Sequence, residues 1–94
     1  MRTIERSSQF KKDYKRIKAS PRHRKDLDAL LSSILLQLLA DDALPVKNHD
    51  HELTGDWANY RECHIKPDLL LIYRKPDVET LRLARLGSHS ELFG

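Results

Sequence analysis

Ninety-four residues, 11.0 kDa, set the scale of one domain. Apolar residues make up 39% and charged residues 33%, with three Gly and four Pro, which excludes a collagen-like or disordered chain; the lone cysteine, Cys63, excludes an internal disulfide and a cysteine-built zinc finger. The net charge of +3 is uneven: residues 1–25 hold ten Lys/Arg against Glu5 and Asp13, whereas residues 26–94 hold twelve acids against seven bases.

The first predicted element is a short strand over residues 2–6, where RTIER alternates. Ser7 and Ser8 then supply a helix cap. Phe10, Tyr14 and Ile17 follow at i, i+4 and i+7, one face of a helix over residues 8–18 whose other faces carry most of the lysines and arginines. Ser20-Pro21 reads as the start of a second helix, with serine as cap and proline in its first turn. Leu27, Leu30, Leu31, Ile34, Leu35, Leu38 and Leu39 give this helix a broad apolar stripe that ends near Asp41. Asp28, Ser32, Ser33 and Gln37 interrupt the stripe, so it is no membrane span, and MRTIERSSQF has no apolar leader. A reduced, cytoplasmic setting is expected.

Residues 41–56, with Pro45, Asn48 and Gly55, read as a loop long enough to be functional. Three strands are predicted over 58–66, 69–75 and 79–86, separated by hairpin breaks at Pro67-Asp68 and Pro76-Asp77. The fold class is therefore α+β: a helical hairpin packed on one face of a mainly antiparallel sheet. The opposite face and the long loop are left for a ligand.

Four of the five histidines, His49, His51, His64 and His89, lie in the second half; His23 is expected to be exposed in the basic helix. Imidazoles exchange protons near neutral pH, so these are candidate acid–base groups, or ordinary surface histidines. Along 60–66, alternation puts Tyr60, Glu62, His64 and Lys66 on one face and Arg61, Cys63 and Ile65 on the other. Glu62 could then orient His64, and Cys63 reads as a small core residue. Asp68 is either a reactive carboxylate or simple turn chemistry. Arg82 and Arg85 fall on opposite faces of the last strand, and one could meet a phosphate. Phe93 either packs inward or stacks on a base. The basic first quarter is a nucleic-acid footprint or a solvated helical face. His49, His51, His64, His89 and Asp68 could ligate zinc, although no HExxH or i, i+4 histidine pair is present. No glycine-rich phosphate loop or GxSxG elbow occurs, which argues against an NTPase or serine hydrolase.

Three segments together carry a family resemblance. They are Asp50-His51-Glu52-Leu53-Thr54-Gly55-Asp56-Trp57, then Tyr60-Arg61-Glu62-Cys63-His64-Ile65-Lys66-Pro67-Asp68 with Leu70-Leu71-Ile72-Tyr73, and Gly87-Ser88-His89-Ser90-Glu91-Leu92-Phe93. The combination DHxLxGxW…YRxxHxxPDxxLIY…GxHxxLF resembles the YafQ-type toxins of the RelE/ParE superfamily, and the N-terminal half matches them in layout. The resemblance implies the RelE-like fold, with a helical hairpin on a twisted four-stranded sheet. It implies a type II toxin that acts as an mRNA endoribonuclease in the ribosomal A site, without a cofactor or metal. A cognate antitoxin, of ribbon-helix-helix type, would neutralise it and provide its only route to operator DNA.

Carried over position by position, the resemblance assigns a site to His51, Glu62, His64, Asp68, Arg85, His89 and Phe93. Glu62 departs from the family pattern, where aspartate occurs. Histidine and carboxylate suit removal of the ribose 2′-OH proton and protonation of the leaving 5′-oxygen. Arginine suits the developing phosphate charge, and an aromatic ring can hold the base. His51 or Asp68 is the expected base, His89 the acid, Arg85 the phosphate clamp, Phe93 the stacking platform, and His64 and Glu62 support. Lys11, Lys12, Lys15, Arg16, Lys18, Arg22, Arg24 and Lys25 are then expected to grip ribosomal RNA. A binding protein of the same fold that cuts nothing is the alternative.

Overall fold

The computed structural model describes residues 2–94. Its elements in chain order are β1 (Thr3–Arg6), α1 (Ser8–Lys18), α2 (Leu27–Leu39), β2 (His51–Glu52), β3 (Arg61–Lys66), β4 (Leu69–Arg74), β5 (Thr80–Gly87) and α3 (His89–Phe93), with single 3₁₀ turns at Val46–Asn48 and Gly55–Trp57. The strands form one five-stranded sheet in the order β1-β5-β4-β3-β2. Only β1 against β5 is parallel. The strand beyond the four expected is β2, two residues in the middle of the presumed loop. A two-residue strand shows no alternation for sequence reading to detect.

Local chemistry explains the boundaries of α1. Ser7, in extended backbone, accepts the Phe10 N–H through its hydroxyl at 2.9 Å. Lys15, Arg16 and Lys18 crowd the last turn, where the helix dipole favours cations. The second helix departs from expectation. It begins at Leu27, and residues 21–26 form consecutive turns held by Arg24 N–H to Ser20 O and Leu27 N–H to His23 O. Those six residues include no apolar side chain apart from Pro21, so nothing draws a helical face onto the core. His23 is the second correction: it is buried, with its Nδ1 3.2 Å from the Lys66 ammonium, because the turns fold it under β3.

The helical hairpin covers one sheet face. Phe10 and Ile17 of α1 and Leu27, Leu31, Ile34 and Leu38 of α2 pack on Cys63, Leu71, Tyr73, Leu81, Leu83 and Leu86. A smaller cluster lies on the other face, where Leu92 of α3 meets Leu70, Ile72 and Ala84, with Leu53, Trp57 and Tyr60 against them. That face is therefore partly roofed rather than bare, and the roof forms the walls of the site.

The parallel pairing is short. β1 covers only Thr80–Leu83 of β5 before the chain leaves for α1. Beyond that point α1 finishes the edge with side chains. The Ser7 hydroxyl donates to Ala84 O at 2.7 Å, the Asp13 carboxylate accepts Leu86 N–H at 3.1 Å, and Arg16 approaches Leu86 O at 3.4 Å.

Candidate active site

Register builds the site. His51 pairs with Glu62, Glu62 with Ile72, and Ile72 with Arg85, so these four residues cross the sheet in one row. The adjacent row on the same face is His64, Leu70 and Gly87, from which α3 departs. With strands about 4.8 Å apart, Arg85 and Glu62 stand roughly 10 Å from each other along the row, a span that one nucleotide can bridge.

Glu62 is almost wholly buried and faces two imidazoles with the same oxygen. Its Oε1 lies 3.4 Å from His64 Nε2 and 3.9 Å from His51 Nε2. His51 is half exposed, and its Nδ1 sits 2.7 Å from the His49 carbonyl. A carbonyl can only accept, so Nδ1 carries the proton and the neutral ring keeps its lone pair on Nε2, the atom turned to the cleft. The backbone enforces this. His49 adopts a left-handed conformation (φ 48°) at the end of the 3₁₀ turn, and buried Asn48 anchors the turn by donating to His64 O at 2.7 Å. Asp50 ties down the other side of the loop, accepting from Tyr73 Oη at 2.6 Å and from both Nε and Nη2 of Arg61 at 3.2 Å.

His89 is the first residue of α3. Ser88 and Glu91 close a reciprocal capping box around this helix start, and the His89 ring lies 5.1 Å from that of Phe93, one turn on. Phe93 is 36% exposed, so it leans on the histidine rather than filling a core position. One cleft of about 490 Å³ gathers His51, Glu62, His89 and Phe93, with Leu53, Trp57 and Leu92 as apolar walls. His64 meets it through Glu62.

Asp68 is not in this cleft. It sits on the β3–β4 turn, 2.7 Å from the Arg22 guanidinium, in a neighbouring groove with Arg16, His23, Ser88 and Glu91. The two hollows meet at α3, whose cap Ser88 and Glu91 line one and whose His89 and Phe93 line the other. Arg85 lies at the far end of the row, where its Nε donates to Asp13 Oδ2 at 2.7 Å and its Nη2 to Oδ1 at 3.3 Å. Arg82 pairs with Glu5, and because the register shifts between Ile72 and Tyr73 it stands opposite Arg74, on the same face as Arg85 and not on the opposite one as expected.

The basic residues divide. Lys11, Lys12 and Lys15 line an open groove of about 720 Å³ between β1, α1 and α2, floored by Ile4, Phe10, Leu31 and Leu35. Arg24 and Lys25 project from the turns after α1. Lys18 is engaged by Asp28, Arg22 by Asp68, and Arg16 by Asp13 and Glu91. Sequence reasoning missed Asp13, Asn48 and Asp50. Asp13 left a signal, an acid at i−3 from an arginine on the helix face adjoining Phe10 and Ile17, and Asp50 opened the DHxLxGxW motif without being given a role. Among the described residues no three His, Cys, Asp or Glu side chains converge on one point as a metal cage.

The model of the YafQ family, bacterial toxins of type II toxin–antitoxin systems, matches residues 2–94. The chain belongs to that family. The mRNA interferase toxin YafQ of Escherichia coli is 40% identical over 95 residues, covering 99% of this chain and 97% of that protein. A crystal structure of the E. coli DinJ–YafQ complex superposes with a TM-score of 0.84 at 40% identity, covering all of both chains. That of a metal-bound toxin from Helicobacter pylori gives 0.85 at 47% identity, covering 99% of this chain and all of the other. The RelE-like arrangement expected from the motifs is thus the observed one, with β2 as an added strand.

Proposed function

We propose that this chain is an mRNA endoribonuclease that cuts by general acid–base catalysis. The observation that carries this reading is the convergence of His51, Glu62, His89 and Phe93 on one cleft whose sheet row ends at Arg85. Phe93 stacks on the base beside the cut and holds the ribose over the row. His51 Nε2 takes the 2′-OH proton, and the buried Glu62 carboxylate faces the imidazolium that forms. The 2′-oxygen attacks phosphorus, and Arg85 meets the charge that builds on the phosphorane. His89 protonates the 5′-oxygen as the P–O5′ bond breaks. The products are a 2′,3′-cyclic phosphate and a 5′-OH end. His51 is favoured over Asp68 as base because Asp68 is paired with Arg22 in the neighbouring groove. His64 steadies Glu62 from its other side.

The surface supports the expected partners. Lys11, Lys12, Lys15, Arg24 and Lys25 grip ribosomal RNA beside the A site, where mRNA is presented. An antitoxin of ribbon-helix-helix type silences the toxin and carries it to operator DNA, with an acidic amphipathic segment suited to the same basic groove; the E. coli relative is seen in complex with DinJ. Charge reversal at Lys11, Lys12 and Lys15 together should abolish toxicity and flatten the salt dependence of ribosome binding. Unchanged ribosome affinity removes that surface from the reading.

The central experiment maps cleavage of end-labelled mRNA, on naked RNA in EDTA and on translating ribosomes in magnesium buffer, with His89→Ala alongside. Discrete cuts leaving 5′-OH ends, reduced about 100-fold or more in the variant, are expected. Cuts on ribosomes and none on naked RNA fit a ribosome requirement, whereas cuts on naked RNA in EDTA keep the metal-free chemistry and remove that requirement. No cutting under any condition would leave a binding protein of the same fold.

A further inference from the structure

Asp13 has no part in the chemistry above, yet it is the most completely engaged carboxylate in the molecule. It is fully buried on α1 and receives five donors. Oδ2 accepts Arg85 Nε at 2.7 Å and Leu86 N–H at 3.1 Å. Oδ1 accepts Arg16 Nη1 at 3.0 Å, Gln9 Nε2 at 3.3 Å and Arg85 Nη2 at 3.3 Å. A carboxylate offers about four lone-pair sites, so this one is saturated and cannot rotate. Closing the bare edge of β5 at Leu86 needs a single acceptor, which an asparagine would provide. The side-on grip on Arg85 needs the charge and both oxygens.

We propose that Asp13 is the positioning residue for Arg85, holding its guanidinium in the plane that serves the scissile phosphate. This rests on the reading of Arg85 as phosphate clamp. The grip uses Nε and Nη2 and leaves Nη1 without a protein partner among the described residues, on a side chain still 22% exposed. The free edge is therefore the one offered to the substrate. Arg16 reaches from Asp13 to Glu91 of α3, at 3.0 and 3.2 Å. The same carboxylate thus ties the clamp to the short helix that carries His89 and Phe93. Gly87 allows this approach. A Cβ there would lie 3.3 Å from Arg16 Nη2 and 3.1 Å from Glu91 Oε1.

The test is single-turnover cleavage on mRNA-programmed ribosomes by wild type, Asp13→Asn, Arg85→Ala and the double variant, with thermal melts of each. Asp13→Asn keeps shape and an acceptor for Leu86, yet should slow cleavage about 100-fold with little change in KM, the cost of a misplaced group. Arg85→Ala should slow it about 100- to 1,000-fold. The double variant should be no slower than Arg85→Ala, although any loss of melting temperature from Asp13→Asn persists in both backgrounds. Added guanidinium ion should restore part of the Arg85→Ala rate and none of the double variant's, because only Asp13 can seat it.

A rate loss from Asp13→Asn that is equal with and without Arg85 overturns the proposal and leaves Asp13 a structural residue. Wild-type cleavage by Asp13→Asn beside a slow Arg85→Ala overturns it while sparing the clamp. Wild-type cleavage by Arg85→Ala removes the clamp and the proposal together. Should Asp13→Asn not fold, Asp13→Glu, which keeps the charge but displaces both oxygens by one methylene, is read the same way.

Discussion

Asp50→Ala isolates the tether that holds the His51 loop on the sheet. Asp50 is the acceptor for the Tyr73 hydroxyl, on a residue only 2% exposed, and for a two-pronged contact from Arg61. Arginine can only donate, so removal of Asp50 leaves the Tyr73 O–H without an acceptor inside the core. An orphaned buried donor costs about 1–3 kcal/mol. The Arg61 pair is partly open to solvent and contributes about 0.5–1 kcal/mol. Together the loss should be about 2–3 kcal/mol, or roughly 10–20 °C in melting temperature for a domain of this size. Tyr73→Phe deletes the donor itself and leaves Asp50 paired with Arg61, so it should cost only about 1 kcal/mol. The double variant should then be less destabilised than the two singles added, because phenylalanine has nothing to orphan. Urea unfolding followed by circular dichroism measures all three. If Asp50→Ala costs no more than Tyr73→Phe, or if the two effects simply add, the tether is a surface ion pair and nothing more.

Three other expectations follow from the same structure. Burial first, then the nearby Asp50 and Glu62 charges, pushes the Cys63 thiol up to about 12, so an alkylating reagent at pH 8 should modify it only after denaturant is added. For Asp13, burial pulls the carboxyl up, but hydrogen bonds from Arg85, Leu86, Arg16 and Gln9 outweigh it and hold it below the ordinary 3.8. The unfolded chain then takes up this proton first as pH falls, so Asp13's contribution is whole above the ordinary value and fades as pH drops through the lower folded one. The stability gap between wild type and Asp13→Asn should shrink accordingly from pH 6 to pH 2.5, and a constant gap refutes the linkage. Phe93→Ala should cut cleavage by about 10- to 100-fold, the worth of one stacked base, with little loss of stability since the ring is 36% exposed; a large drop in melting temperature would make it a core residue.

What was legible in the sequence was whatever depends on neighbours in the chain. The α1 boundaries follow from the Ser7 cap and the Phe10, Tyr14, Ile17 spacing, and they match the observed Ser8–Lys18. Period-two alternation put Glu62 and His64 on one face, where they meet at 3.4 Å. Motif resemblance, not periodicity, singled out His51 and His89. What stayed hidden depends on register between distant segments. Asp13 looked like one stray acid in a basic helix; its burial follows from β1 ending at Arg6, four residues before β5 does. His23 is covered by β3, and Asp68 is turned from the cleft by Arg22, an ion pair 46 positions apart along the chain. Arg16, Lys18 and Arg22 were counted as free charge, yet each has a carboxylate partner.

The two faces of the sheet divide the main core from the candidate site. Helix packing buries the larger cluster, fourteen residues from two helices and three strands. The site face is closed by α3, whose one buried residue is Leu92, and by the Leu53–Tyr60 segment. A layer with so few buried apolar side chains opens locally at far lower free energy than the whole fold. Gly55, with φ of 67°, and Asn59, with φ of 76°, give that segment its bends without drawing it into the main core. Truncating Leu92 to alanine should therefore loosen α3, with His89 and Phe93 on it, well below the temperature that melts the helical hairpin. Amide exchange would separate the two: fast in α3 and the 53–60 segment, slow in β4 and β5. With His51 and His89, the proposed base and acid, on elements that can part above a core that cannot, a substrate would enter and a product leave without threatening the fold.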